Sequence, residues 1–473
     1  MKNKIFDIGI TFESDTVYIS DRKVYDIFPS DNFEEIHCWW TCANSGNIPL
    51  QAAFVLKNLK NVTIDLGGAK LVFHGRIMPF AVSNCENIVF KNFSVDYDRP
   101  YFTQGKVLES ENNSVVIEIP KTFGYRIEGH DFIAVAENWE HKLVNGNMLF
   151  RCMNAETKRP SENSDVILGL IGDNVTPSPN PPIPIHHLYA ENLGEHRVKI
   201  SNFPNEFKPR VGEILAMTHE DRRKHGFLLE ECRDVFFENI RLLHIGAMGV
   251  VANLCHNLSF NNFSMYLDEE TEERIITINA DSIHCFHCTG LIKVENCRFE
   301  NMLDDAINVH GNYLVCEKQI SPNSILVKNC SAILQDMKFL LPNDDVVIYK
   351  ENTQEINQKC RVKMAEFIQG QNKDMIVEFA DNICGEIKKG DILENQRMPE
   401  LEVRNCIVKC MNGFRISTGK RTLIENCQFE TAGFSVLFSG DMSYWYENGP
   451  VKDVTIKNCT FIDCGFSVRT DCW

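Results

Sequence analysis

The stretch from Asn301 to Tyr313, NMLDDAINVHGNY, sets two carboxylates side by side, Asp304 and Asp305, and follows them with His310-Gly311-Asn312. A third carboxylate, Asp281 in INADSIHCF, precedes them by 23 and 24 residues. Like charges crowded together raise at least one carboxyl pKa, so that one group keeps a proton while another stays ionised. The residue types therefore fit general acid and base work on a bond to oxygen. A lone Asp-Asp would read as a hydrated turn. The same cluster would also suit calcium, which takes several oxygen ligands.

Acid-base chemistry requires a fold that brings residues 23 and 24 positions apart together, and the chain carries a repeat of about that length. ENIVFKNFSV around Asn92, RDVFFENIRL around Asn239, HNLSFNNFSM around Asn262 and GLIKVENCRF around Asn296 share one pattern, continued in PELEVRNCIV around Asn405, RTLIENCQF around Asn426 and KDVTIKNCTF around Asn458. KNVTIDLGGAKLVFHG, from Lys60, reads as an early coil. Each unit alternates apolar and polar residues, breaks at Asn and resumes, which predicts two short strands joined by a bend. Stacked units share an interior that none could bury alone. The fold class predicted is all-β, a right-handed parallel β-helix, with an asparagine ladder at one bend. Coils stack about 4.8 Å apart, which places Asp281 beside Asp304 and Asp305.

Two segments lose the repeat. One includes the proline-rich NVTPSPNPPIPIHH, and their ends, RVGEILAM from Arg210 and KKGDILEN from Lys388, resemble each other. They read as two related small β-barrel insertions that wall a binding site. The organisation expected is an N-terminal segment and first coils over 1–100, an insertion over 101–224, central coils with the aspartates over 225–313, a second insertion over 314–399, and C-terminal coils over 400–473. The end of the chain exposes strand edges. Either a second subunit in a homo-oligomer covers them, or FSVRTDCW folds over as a cap.

The 473 residues, 44% hydrophobic and 24% charged, suffice for a substantial core. A formal charge of −17 disfavours nucleic acid and anionic membrane surfaces as partners. No run approaches the roughly 18 to 20 apolar residues of a membrane span. Asp7, Glu13 and Asp15 interrupt any secretion signal at the N-terminus, so a cytoplasmic location is expected. The 19 cysteines lack a disulfide spacing, and several follow the repeat asparagine, where a thiol fits the inside of a bend. CFHC at Cys285 to Cys288 lacks the second pair of a structural zinc site.

An acid and a base flanking an acetal carbon suit hydrolysis of a glycosidic bond, with inversion where they stand roughly 6.5 to 9.5 Å apart. At these residues NADSIHC and LDDAINVHGNY resemble glycoside hydrolase family 110, the inverting exo-acting α-1,3-galactosidases. The resemblance extends to LKNVTIDLGG and FHGR between Leu59 and Arg76, to GFLLEECRDVFFENI from Gly226, and to SGDMSYWYENGPVKDVTIKN from Ser439. More distantly, Asn279-x-Asp281, Asp304-Asp305 and His310-Gly311 are similar to motifs of the inverting polygalacturonases. The resemblance implies a β-helix with two barrel insertions, with Asp304 as general acid and Asp281 and Asp305 holding and deprotonating the attacking water. It implies that Asn279, Asn308 and His310 orient the carboxylates or bond the sugar. Asp441, Trp445 and Glu447 are candidate galactose contacts, a tryptophan face suiting a pyranose and carboxylates its hydroxyls. Trp445 could equally be a hydrophobic cover over the coil edge.

The expectation is a glycosidase that removes terminal α-1,3-linked galactose from a neutral oligosaccharide, with no metal and no organic cofactor. Alternatives are another β-helix exo-glycosidase, a polygalacturonase-like hydrolase, a calcium-dependent lyase, and a non-catalytic glycan-binding solenoid. Against an anionic substrate, the stretch from Asn279 to Tyr313 has only Lys293 and Arg298 as basic residues.

Overall fold

The computed structural model describes residues 1–36, 50–144, 148–161, 167–176, 184–219, 222–268, 271, 273–331, 337–351, 353, 355–368, 373–442 and 444–471. Residues 177–183 of the proline-rich segment and Cys472-Trp473 lie outside them. Among the described residues the secondary structure is β throughout, and no helix is long and apolar enough to cross a membrane.

Successive coils lay strands on three stacked sheets of eleven, ten and four strands. Coil-to-coil pairing within them is parallel except where Glu34–Ile36 meets Leu50–Lys57. The first sheet carries the repeat segments Glu86–Tyr97, Arg233–Leu242, His256–Ser264 and Thr289–Glu295 in order. The second carries Val250–Asn253, Ile283–Phe286, Asp305–His310, Asn412–Ile416 and Phe434–Ser439. Asparagine makes the bend between the strands of a coil possible. Asn92, Asn239, Asn262, Asn296, Asn405, Asn426 and Asn458 all have φ between 53° and 59°, the left-handed region that asparagine tolerates better than most residues. Side-chain amides of the ladder donate to the coil before: Asn239 to Asn92 and Asn262 to Asn239 at 3.0 Å, and Asn426 to Asn405 at 3.3 Å. The ladder skips once, since Asn296 donates to Asn261 rather than to Asn262.

The interior follows from the same alternation. Inward residues stack on their equivalents, as in Phe80 on Phe227 with ring centroids 4.7 Å apart and Phe237 on Phe260 at 4.9 Å. Every described cysteine is a free thiol. Those at the bends point each S–H at the carbonyl two residues back: Cys232 to Glu230, Cys288 to Phe286, Cys297 to Glu295, Cys406 to Arg404. These thiols act as small core residues that also satisfy a bend carbonyl.

Two closed barrels interrupt the solenoid. Phe102–Glu111, Ser114–Glu118, Met148–Met153, Ile167–Ile171, Ile185–Gly194, Arg197–Ser201 and Ile214–Thr218 close the first. Tyr313–Ser321, Ser324–Lys328, Asp345–Tyr349, Ile356–Phe367, Asp374–Phe379 and Ile392–Asn395 close the second. In each, the last strand pairs antiparallel with the first. The two similar sequences noted above form those last strands and the turns that precede them. Gly212 and Gly390 both sit at φ 94°, where a Cβ is strained, and donate to Val107 and Cys316 of the respective first strands at 2.9 Å.

The described part of FSVRTDCW continues the stack rather than covering it, and Cys472-Trp473 lie outside the described residues. Phe466–Asp471 is a strand in register with Phe434–Ser439, pairing Val468 with Val436. The alternation of the segment makes it one more coil, and Phe466 and Val468 remain about half exposed.

Candidate active site

The register of two coils gathers the carboxyls. Ile283 pairs with Ile307 and His284 with Asn308, and the Ser282 amide donates to the Asp305 carbonyl at 2.9 Å. Asp281 thus lies opposite Asp305, with Asp304 beside it at the bend that enters the strand. One oxygen from each of Asp281, Asp304 and Asp305 lies within 4.8 Å of the others. Asp281 and Asp305 are buried, whereas the Asp304 side chain keeps 26% of its surface exposed.

Their surroundings treat the three differently. Burial, then the charge of Asp304, pushes Asp281 well above the ordinary carboxyl range, while Arg222 pulls the other way. Burial, then Asp304 and Asp281, acts on Asp305 in the same direction. Arg222 Nη1 lies 2.6 Å from Asp304 Oδ2, an ion pair of two partly buried groups. Arg151, on a strand of the first barrel, is buried nearby; desolvation lowers it to about 10 and the Asp304 charge offsets part of that.

Behind Asp281 runs a line of buried polar groups. His284 Nδ1 is 2.5 Å from Asp281 Oδ2, and its Nε2 is 2.8 Å from His310 Nε2. His310 Nδ1 is 2.7 Å from the Gly311 carbonyl, and its Nε2 is 3.6 Å from Glu447 Oε1. Arg415 Nε lies 2.8 Å from Glu447 Oε2, an ion pair off the line of a hydrogen bond. Burial lowers both His284 and His310 to about 4. For Glu447 burial opposes ionisation, but Arg415, then His310 and His284, bring it below the ordinary value.

The long loop after Phe434–Ser439 supplies Glu447. It is zipped onto Gly311-Asn312-Tyr313: the Asn448 amide donates to the Gly311 carbonyl at 2.9 Å, the Gly311 amide to Asn448 Oδ1 at 2.5 Å, and the Tyr313 amide to the Tyr446 carbonyl at 2.8 Å. A Cβ on residue 311 would stand 2.8 Å from Asn448 Nδ2, so glycine is what lets the loop approach.

The remaining residues proposed from sequence fall into two groups. Asn279 and Asn308 are buried beside the cluster; Asn279 donates to the Tyr101 carbonyl at 3.1 Å, and the Oδ1 atoms of both are buried without a hydrogen-bond partner. His310 stands one imidazole away from Asp281. Asp441 accepts from the Tyr444 and Trp445 amides of its own loop. Trp445 is partly buried against the apolar cluster that the second barrel shares with the solenoid wall. The argument that few basic residues attend the carboxyls does not hold in three dimensions, because Arg151, Arg222 and Arg415 arrive from segments outside 279–313. Arg415 had a signal: adding one more coil to the register puts it in line with His284 and Asn308. Arg222 and Arg151 had none, since their positions depend on how the first barrel docks.

As a metal site the cluster offers three carboxylate oxygens, but Arg222 engages Asp304 and neighbouring guanidinium charges offset the others. The residues present fit proton chemistry better than a divalent ion.

Residues 103–215 match a family model described as GLAA-B beta-barrel domain I. An alpha-1,3-galactosidase B of Bacteroides thetaiotaomicron is 29% identical over 432 residues, 90% of this chain and 67% of that protein. One of Phocaeicola vulgatus is 28% identical over 430 residues, covering 88% and 67%. A solved tailspike protein, gp49 of Pseudomonas phage LKA1, aligns over 87% of this chain and 53% of its own at 10% identity with a TM-score of 0.24; the coil pairing described above establishes the fold without it. Aspartate motifs, barrel match and similarity along about nine tenths of this chain agree in making it similar to proteins named alpha-1,3-galactosidases.

Proposed function

We propose that this chain removes terminal α-1,3-linked galactose from neutral glycans, with inversion at the anomeric carbon and without metal or organic cofactor. The observation that carries the reading is the gathering of Asp281, Asp304 and Asp305 within 4.8 Å, in a chain whose curated relatives are named alpha-1,3-galactosidases. Three carboxyls this close share protons, and their titration belongs to the cluster rather than to each residue. Two are buried and biased towards the neutral form, so a proton is on hand at rest.

Asp304 is the most exposed of the three and the one a bulky leaving group can reach. It is assigned the general acid, exchanging its bond with Arg222 for a proton from its neighbours. Asp281 and Asp305 hold and deprotonate the attacking water. The ion pairs of Arg222 with Asp304 and of Arg415 with Glu447 commit these cations to protein carboxylates, which favours a neutral sugar over a uronate.

Oxygen to oxygen the cluster is tighter than the roughly 6.5 to 9.5 Å usual between acid and base in inverting enzymes, so the anomer released is the decisive reading. The test is proton NMR of the protein acting on Gal-α-1,3-Gal with EDTA present. Early β-galactose is expected. Early α-galactose would overturn inversion, and no release from this or related α-galactosides would overturn the activity.

A further inference from the structure

Asp281 is asked to act as a base, yet its surroundings favour its protonated form, and a mechanism must remove that proton. We propose that Asp281, His284 and His310 form a proton wire that decides whether Asp281 holds its proton, with Glu447 and Arg415 anchoring the far end. The inference rests on the hydrolase reading above and adds His284 and His310 as positioning residues that act through Asp281.

The hydrogen-bond geometry fixes where the protons sit. The Gly311 carbonyl can only accept, so His310 Nδ1, 2.7 Å away, carries a hydrogen. A neutral His310 then has a bare Nε2. His284 Nε2 lies 2.8 Å from it, and the two nitrogens share a hydrogen bond only if His284 donates. A neutral His284 that donates from Nε2 is bare at Nδ1, 2.5 Å from Asp281 Oδ2. The hydrogen between them therefore belongs to the Asp281 carboxyl.

The loaded state is reached by two short transfers. The Asp281 O–H bond breaks and its proton joins His284 Nδ1, while the His284 Nε2 proton joins His310 Nε2. Asp281 becomes a carboxylate and His310 an imidazolium 3.6 Å from Glu447. No electrons are gained or lost: His284 gains a proton at Nδ1 as it gives one from Nε2 and stays neutral, and the charge lost by Asp281 reappears as the positive charge of His310. Asp281 can then accept the proton of the attacking water, and a proton crossing within the carboxyl cluster to Asp304 resets the site.

The path is sealed, His284 and His310 being only 1% and 3% exposed, so bulk water does not short-circuit it. Other titratable groups face it. His225 beside His284 and His287 beside His310 are kept neutral by burial. The charged neighbours are Asp304 and Arg222 at the near end and Glu447 and Arg415 at the far end. A proton moved outward goes towards the Glu447 carboxylate, a favourable direction in a poorly solvated interior.

The test is His310→Gln. Glutamine can still accept from His284 and donate to the Gly311 carbonyl, but cannot take up a proton. The wire predicts that kcat at neutral pH falls at least about tenfold with KM little changed, and that the acidic limb of kcat/KM moves up by about one pH unit. A profile superimposable on that of the unmodified protein would overturn the wire. If the variant does not fold, ¹⁵N-histidine NMR of the unmodified protein decides. His284 protonated on Nε2 alone, or His310 as an imidazolium with His284 protonated on Nδ1, supports the wire; His284 protonated on Nδ1 beside a neutral His310 overturns it. An unmodified protein that hydrolyses no α-galactoside would defeat the functional reading, while the NMR would still judge the wire.

Discussion

Arg222 Nη1 sits 2.6 Å from Asp304 Oδ2, a contact between a residue at the exit of the first barrel and one at a bend of the solenoid. The barrel thereby supplies the charge that lets three carboxyls stand together. Because the Arg222 cation also lowers Asp281, removing it raises Asp281 further. Arg222→Gln is therefore expected to shift the acidic limb of the rate profile towards higher pH, since the base ionises later, and to lower kcat at pH 6 about tenfold or more. Initial rates from pH 4 to 9 check this, and an unmoved acidic limb would show that Arg222 does not tune the base.

Asp304→Asn keeps the shape of the side chain and its hydrogen bonding to Arg222 but delivers no proton. Turnover on Gal-α-1,3-Gal is expected to fall by about 10²–10⁴-fold, the usual worth of a general acid, with cooperative unfolding preserved. Galactose release and a thermal melt of the same sample are the measurements. Near-normal activity would remove Asp304 from the mechanism.

Asp305 carries a stability consequence of opposite sign to its function. Its carboxyl is raised in the folded state, so the folded protein binds a proton that the unfolded chain has released by neutral pH. The stabilisation is complete below the unfolded value near 3.9 and is lost as pH rises through the folded value. Asp305→Asn should therefore melt higher than the unmodified protein at pH 7, by about 1 °C or more, with the gap closing near pH 4. Melts at the two pH values decide; a lower melting temperature at pH 7 would mean that the carboxylate is the stabilising form.

Gly311→Ala places a methyl group against Asn448, whose side chain accepts from the Gly311 amide. The Asn448 side chain must give, loosening its grip on the loop that carries Glu447, and kcat is expected to fall about tenfold. Space returns in Gly311→Ala/Asn448→Ala, which should be no less active than Asn448→Ala alone. Equal additive losses would show that the contact does not position Glu447.

The solenoid was legible because its signal is repeated. Asn239 and Asn262 each announce a bend, and the coils that carry them stack Phe237 on Phe260 and join the asparagine ladder. The same register placed Asp281 opposite Asp305 from sequence separation alone. The barrels were legible only at their edges, where RVGEILAM and KKGDILEN resemble each other, because a barrel strand pairs with a neighbour whose distance along the chain follows no period. Arg151 and Arg222 were invisible for that reason. Of the two expectations for the end of the chain, a covering subunit or a cap, the cap gives way over Phe466–Asp471 to one more coil, because the alternation of that stretch is that of a coil strand. His284 takes its meaning from a tautomer set by the Gly311 carbonyl, which no spacing rule reports.

The pairing of Arg233 with Glu86 and of Ile307 with Phe414 crosses each barrel insertion as though it were not there. Each insertion leaves the solenoid and returns one rung on. The carboxyl floor and the walls above it are therefore inherited separately: a barrel can lengthen, shorten or change its loops without displacing Asp281 from Asp305. Differences in the sugars accepted by relatives of this chain should accumulate in the barrels and in the loop over Gly311, while the spacing of the two coils that carry the aspartates stays constant.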